Sequence, residues 1–296
     1  MRRPTTVEVM LLTTIGLWSL NLTVSRYILT HGFAPLAYGS VRYGLAALVF
    51  TALTLAVERS LRIARRELPM VLGAAAVLYL NQIGFVYALE TSSASILGLI
   101  LGATPIFAAL AGLALGTETL SSRFWAGALL SFGGVALVAL GSGGELSGEL
   151  GGVLFGVLTA ATWAGYSMLV TPLMRTYSAS RISSVVLSLA WLPITITGGA
   201  QLRSQEWALG WEVGALLVFA TLGPLVLTNV LWFRSLDRIG PARATLAANL
   251  QPFLAAAIAV VLLSESLGAP ELAGGVLIAA GILVARRRGT ARAPGE

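Results

Sequence analysis

Ten apolar runs, each near the roughly 20 residues that an α-helix needs to cross about 30 Å of hydrocarbon, occupy most of this chain. They are Val7–Tyr27, Pro35–Val57, Leu68–Leu89, Ser93–Gly116, Phe124–Gly141, Gly152–Met174, Ser180–Ala200, Glu212–Ser235, Pro241–Leu263 and Leu267–Ala285. The segments between them are short, so the pattern leaves no room for an extramembrane domain. With 56% of the 296 residues hydrophobic, 11% charged and a mean hydropathy of +0.84, a water-soluble globular fold is excluded. In lipid only helices and closed barrels satisfy their own backbone, and runs of this length predict an all-α integral membrane protein with ten transmembrane helices. The first run is too long for a signal-peptide core and lacks a small-x-small cleavage site, so it reads as a retained helix.

All 19 basic residues are arginine, against 13 Asp and Glu, for a net charge of +6. The arginines stand in gaps between apolar runs and form no basic stripe interleaved with aromatics, so nucleic acid is not an expected partner. Their placement instead gives an orientation, because cytoplasmic loops carry the Lys/Arg excess. With the N-terminus inside, sixteen arginines fall on the cytoplasmic side, Arg26 and Arg203 fall outside, and Arg42 lies within the second run. Both termini are expected in the cytoplasm and the segment 142–151 outside.

That segment stands near the midpoint of an internal repeat. A shift of 147 residues brings Glu90 onto Asp237, Pro105 onto Pro252, Glu118 onto Glu265, Gly127 onto Gly274 and Gly134 onto Gly281. Near the start of each half, a shift of 145 superposes Thr14 on Thr159 and Trp18 on Trp163. The chain thus reads as two five-span units, 1–141 and 152–296, joined by an outer linker, 142–151. Five is odd, so the second unit enters the membrane from the opposite side, and the expected fold is a pair of inverted five-helix repeats. Such repeats characterise alternating-access carriers, whose sites lie at the midplane between them.

Polar side chains retained in apolar spans tend to face a bundle interior or a water-filled cavity. Thr14, Trp18, Asn21 and Ser25 recur on one helical face, and Thr159, Trp163 and Tyr166 repeat that pattern in the sixth span. Tyr79 and Gln82 share a face of the third span, and the shift of 147 places Asn229 on Gln82 and Trp232 on Phe85. Thr245 and Asn249 lie one turn apart in the ninth span, opposite Gly98 and Gly102. These residues are read as the lining of one cavity between spans one, three, four, six, eight and nine. The competing reading is that Ser, Thr, Asn and Gln merely join helices, which suits any single hydroxyl better. The mid-span Trp18 and Trp163 favour a cavity, because large amphipathic rings sit poorly in the lipid core.

Pro105 and Pro252 lie inside spans and are expected to act as hinges, each removing a backbone hydrogen bond and freeing a carbonyl upstream. Arg42 either holds a substrate carboxylate or joins helices through backbone carbonyls. No acidic partner is in sight in the sequence, which favours the second role. Glu118 and Glu265 fall at span ends, in position to cap or gate. Enzymatic chemistry has little to stand on: the lone His31 is in a short loop, and Cys and Lys are absent. No catalytic residue, metal or cofactor is expected.

Trp18-Ser19-Leu20-Asn21 followed by Arg26, then Pro35 and Arg42-Tyr43, then Pro105 and Glu118 ahead of a glycine-rich fifth span, resemble the EamA-type branch of the drug/metabolite transporter superfamily. The likeness extends over essentially the whole chain as two tandem copies. It departs at Ser19, where many members have Gly, and at Tyr166, which stands in place of Asn. The resemblance implies an inner-membrane protein of bacterial type that exports small metabolites. Within the branch it points to amino acid exporters known for aromatic substrates, with a broad drug exporter as the alternative. The expected partners are such small molecules and membrane lipid, and the expected state is a monomer. If the orientation is right, tags at Glu296 and at Glu145 are accessible from opposite faces of the membrane in intact cells; finding both on one face defeats the five-plus-five arrangement.

Overall fold

The computed structural model describes residues 6–114, 116, 120–141, 149–239, 248 and 250–286. Within them the backbone is helical, with short turns and no strand. The helices are α1 (Thr6–Thr30), α2 (Pro35–Glu58), α3 (Leu68–Thr91), α4 (Ala94–Leu101), α5 (Thr104–Ala114), α6 (Ser122–Gly141), α7 (Glu149–Leu173), α8 (Ala179–Thr197), α9 (Gly199–Ser204), α10 (Trp211–Thr221), α11 (Thr228–Ile239), α12 (Gln251–Leu263) and α13 (Ala269–Arg286). A π-helical segment, Leu222–Leu227, joins α10 to α11.

Six helical stretches among the described residues are long and apolar enough to cross a membrane. They are α1, α2, α3 with the turn before it, α7 from Leu150, α8, and α10 continued to Trp232. The pair α4 and α5, bent by 41°, makes a seventh if taken as one span. Among the described residues the fifth, ninth and tenth runs hold the apolar stretches Ser122–Val138, Gln251–Leu263 and Ala269–Ala285. The fourth run, Ser93–Gly116, is longer than either α4 or α5 because the hydrogen-bond ladder is interrupted between them. At the α4–α5 break the ladder shortens to three-residue steps, Gly102 N donating to Leu99 O and Ala103 N to Ile100 O.

Side chains from one half cap helices of the other. Pro35 starts α2, where its fixed φ suits the first turn, and the amides before and after it are met by Gln205 Oε1 (from Ala34 N, 2.8 Å) and Gln201 Oε1 (from Leu36 N, 2.7 Å). At the other end of α2, Glu58 pairs with Arg181 of α8 at 2.7 Å, both side chains about four-fifths buried. Along their length α2 lies on α8, α3 on α7, α1 on α12 and α4 on α12.

The closest helix contact is α6 on α13. A Cβ placed on Gly134 would lie 2.6 Å from the Gly274 carbonyl oxygen and 2.9 Å from Ile278 N, and one on Gly274 would lie 2.6 Å from Gly134 O. Gly127 and Gly281 press on each other in the same reciprocal way, and Ser131 Oγ donates to Ile278 O at 3.2 Å. Small residues let backbones approach in a solvent that supplies no hydrophobic drive between helices. Gly134→Ala is therefore expected to destabilise the protein by about 1–3 kcal/mol, the cost of overpacking against unyielding backbone. Gly133→Ala, with nothing within 4 Å of its Cβ, is expected not to lower stability. Thermal unfolding of the two variants in detergent checks this, and equal midpoints would refute it.

Candidate functional site

Three indoles and a phenol from both halves of the chain meet in the structure. Trp18 of α1 sets its ring 6.4 Å from that of Trp163 on α7, nearly edge to face at 81°, and 5.2 Å from that of Trp232 on α11. Trp163 in turn lies 5.5 Å from Tyr166. Such separations are those of favourable aromatic pairs. Trp163 keeps 39% of its surface free, whereas Trp18, Trp232 and Tyr166 are half-buried. The Trp18 indole N–H is fixed by Thr228 Oγ1 at 2.9 Å, and that hydroxyl donates to Pro224 O at 2.6 Å.

Pro224 explains the neighbouring polar cluster. It lies in the π-helical segment and has no N–H to offer Ala220 O, four residues before it. Arg42 of α2 donates its Nε to that carbonyl at 3.3 Å and its Nη2 to Asn21 Oδ1 at 2.9 Å. Its guanidinium lies 5.7 Å from the Tyr38 ring centroid and 5.8 Å from that of Phe85, within cation–π range. Ser25 Oγ and Tyr38 OH, 2.7 Å apart, close the network. Arg42 thus joins α1, α2 and α10 through a backbone carbonyl and an amide. No described carboxylate approaches it within 4.0 Å.

The remaining candidates divide. Gln82 is buried among α2, α3 and α8, and its Nε2 has no hydrogen-bond partner. Tyr79 is half-buried and packs against an apolar cluster shared by α2, α3, α7 and α8. Asn229 accepts from Ser183 Oγ at 3.2 Å, which ties α11 to α8. Thr245 and Asn249 lie outside the described residues, as does Glu118. Pro105 is the second residue of α5 and follows the 41° bend; the carbonyl it frees, Leu101 O, is taken by Thr104 Oγ1 at 2.6 Å. Pro252 is near the start of α12, a position where proline continues a helix rather than kinking it.

Glu265 stands at the end of the bundle where α3 meets α4. Its carboxylate accepts from Ala94 N and Ser95 N, both at 2.9 Å, and from Ser95 Oγ at 2.6 Å, capping α4. Arg26 donates to Leu89 O and to Glu90 O at the adjoining end of α3. The Arg26 bonds tie α1, which carries Trp18, to the end of α3. Among the described residues no group of three His, Cys, Asp or Glu could hold a metal.

Two contributors escape the spacing analysis. Thr228 has a visible signal, since the shift of 147 places it on Asn81, which donates to Thr159 O at 2.8 Å between α3 and α7. Pro224 has one too: a proline inside an apolar run frees the carbonyl four residues back, and a buried arginine elsewhere is a natural donor for it.

The sequence profile of the EamA-like transporter family matches residues 5–140 and again residues 150–287. Sixteen chains of solved structures match. One, a crystal structure described only as that of a protein, is 22% identical over 95% of this chain and 96% of its own, with a TM-score of 0.64. That likeness concerns the fold. No curated protein matches.

The ring cluster makes a direct prediction for Trp163→Ala. An aromatic pair is worth about 0.5–1.5 kcal/mol beyond its buried area, so the affinity of any ligand that stacks on this ring should fall about two- to thirteenfold. With 39% of the ring surface free, folding should persist. Ligand titration of the purified variant checks this, with unchanged affinity removing Trp163 from the site.

Proposed function

The chain belongs to the EamA-like transporter family, and from that premise we propose that it is a secondary transporter that exports amino acids, aromatic ones among them, and similar small metabolites by alternating access. Membership makes it a multi-pass membrane protein of the drug/metabolite transporter type. The observation that carries the finer reading is the ring cluster of Trp18, Trp163, Trp232 and Tyr166, drawn from both halves. Indole and phenol faces stack on an apolar side chain, while the amides beside them bind the charged ends of a zwitterion. We read the chain as resembling, within the family, the bacterial amino acid exporter YddG, and this proposed resemblance implies the same class of substrate.

Alternating access draws support from how the contacts behave when the halves are exchanged. Adding 147 to Gly127 gives Gly274, and adding it to Gly134 gives Gly281, so the contact of Gly127 with Gly281 becomes that of Gly274 with Gly134. Likewise Asn81 of α3 bonds to α7, while its mate Thr228 bonds to α1. Contacts that reproduce themselves in antiparallel helices support the proposed inverted repeat, with units 1–141 and 152–296 of five spans each joined by 142–151. The reading places ten helices in the bacterial inner membrane with both termini cytoplasmic, as a monomer without cofactor.

Energy coupling follows from where charge is placed. Proton-driven carriers commonly hold an acid in the membrane interior. Here Glu8, Glu58, Glu67, Glu90, Glu212, Glu265 and Glu271 stand at or next to helix ends. The expected mechanism is facilitated movement down the substrate's own gradient. Liposomes carrying the purified protein and a phenylalanine gradient, without proton, sodium or voltage gradients, should show flux that stops at equal concentrations. Accumulation driven by an imposed pH gradient overturns facilitation. Movement of an organic cation dye but of no amino acid overturns the substrate class in favour of a broad drug exporter.

A further inference from the structure

We propose that Arg42 and Gln82 form the anion end of the site and take the carboxylate of the substrate whose apolar part lies on Trp18, Trp163 and Trp232, an inference that rests on the amino acid reading above. Arg42 is 4% exposed and stays charged in a protein, yet it has no described carboxylate within 4.0 Å. It carries five N–H donors, of which two are used, on Ala220 O and Asn21 Oδ1. A buried cation compensated only by neutral groups and ring faces is costly, and its unused donors await an acceptor.

Gln82 has the same deficit. It is 2% exposed, and its Nε2 makes no hydrogen bond in the described structure. That amide nitrogen fits into the notch of Gly39, where a Cβ would lie 3.2 Å away. Gly39 is one turn before Arg42 on α2, and Phe85, one turn beyond Gln82 on α3, faces the guanidinium. Both surplus groups therefore border one seam between α2 and α3. Both are donors, and what would satisfy them together is an acceptor with two oxygens and a negative charge. A carboxylate has that form, one oxygen for the guanidinium and the other for the amide.

The seam is also at the right place. Asn21, which holds Arg42, follows Trp18 by three residues on the same face of α1, about 4.5 Å along the helix axis. A ligand whose carboxylate meets Arg42 therefore places its side chain at the level of the indoles. In this geometry Arg42 and Gln82 select for the acid group, and the rings select for the apolar one.

The test uses full-length purified protein and three probes: tryptophan, indole-3-propionate, which lacks the amine, and tryptamine, which lacks the carboxylate. Gln82→Leu removes the unpartnered amide while keeping an apolar side chain of similar length, so the fold should be kept or slightly strengthened. The ratio of indole-3-propionate affinity to tryptamine affinity is expected to fall about tenfold or more, since a hydrogen bond to a charged group is lost. Arg42→Lys, which retains charge but loses the planar fork, should lower the same ratio. An unchanged ratio in Gln82→Leu overturns the proposal. Wild-type binding of tryptamine but of neither carboxylate overturns it while leaving the aromatic site intact. Binding of indole-3-propionate but not of tryptophan supports it and overturns the amino acid reading instead, and binding of no probe overturns both.

Discussion

Inside lipid a backbone carbonyl deprived of its amide must find another donor, and the arrangement of this protein turns on two such carbonyls. Pro105 frees Leu101 O, and Thr104 on the same turn takes it, so the defect is healed locally and yields a bend. Pro224 frees Ala220 O, and the donor comes from another helix, Arg42 of α2. That second repair fixes an arginine in the bundle interior. Through Asn21 it also fixes the face of α1 that carries Trp18, whose indole returns to Thr228, just beyond the same interruption. One missing N–H thus organises the contacts among α1, α2 and the helix pair α10 and α11.

Much of this was legible in the sequence, though unevenly. Hydrophobic run length gives apolar helices in the right places, because burial of the backbone in lipid is a property of each segment alone. The three-residue steps from Trp18 to Asn21 and from Trp163 to Tyr166 identify faces, and the structure brings the rings of Trp18 and Trp163 within 6.4 Å. Periodicity says which way a side chain points but not what meets it. Asn229 shows this, sharing its repeat position with Gln82 yet spending its side-chain oxygen on Ser183. The continuity of a span is likewise invisible to run length, since Gly102 and Ala103 are as apolar as their neighbours while their amides step down to three-residue bonds.

The two halves meet through surfaces of different chemistry. Around α1, α7 and α11 the contact is aromatic and polar, with the Trp18 indole, Thr228 and Asn229 engaged in bonds that another donor or acceptor can replace. Between α6 and α13 it is backbone against backbone, where no side chain intervenes and no rotamer change gives relief. The first kind of surface tolerates rearrangement at modest cost; the second is either formed or broken.

The tight joint also has a symmetry in the sequence. The pairs Gly127 with Gly281 and Gly134 with Gly274 become one another when the halves trade roles, and Ser131 and Ile278, bonded to each other, likewise trade places. A joint that looks the same from either side of the exchange carries the same steric limit on both helices, so a side chain added on either one meets the backbone of the other.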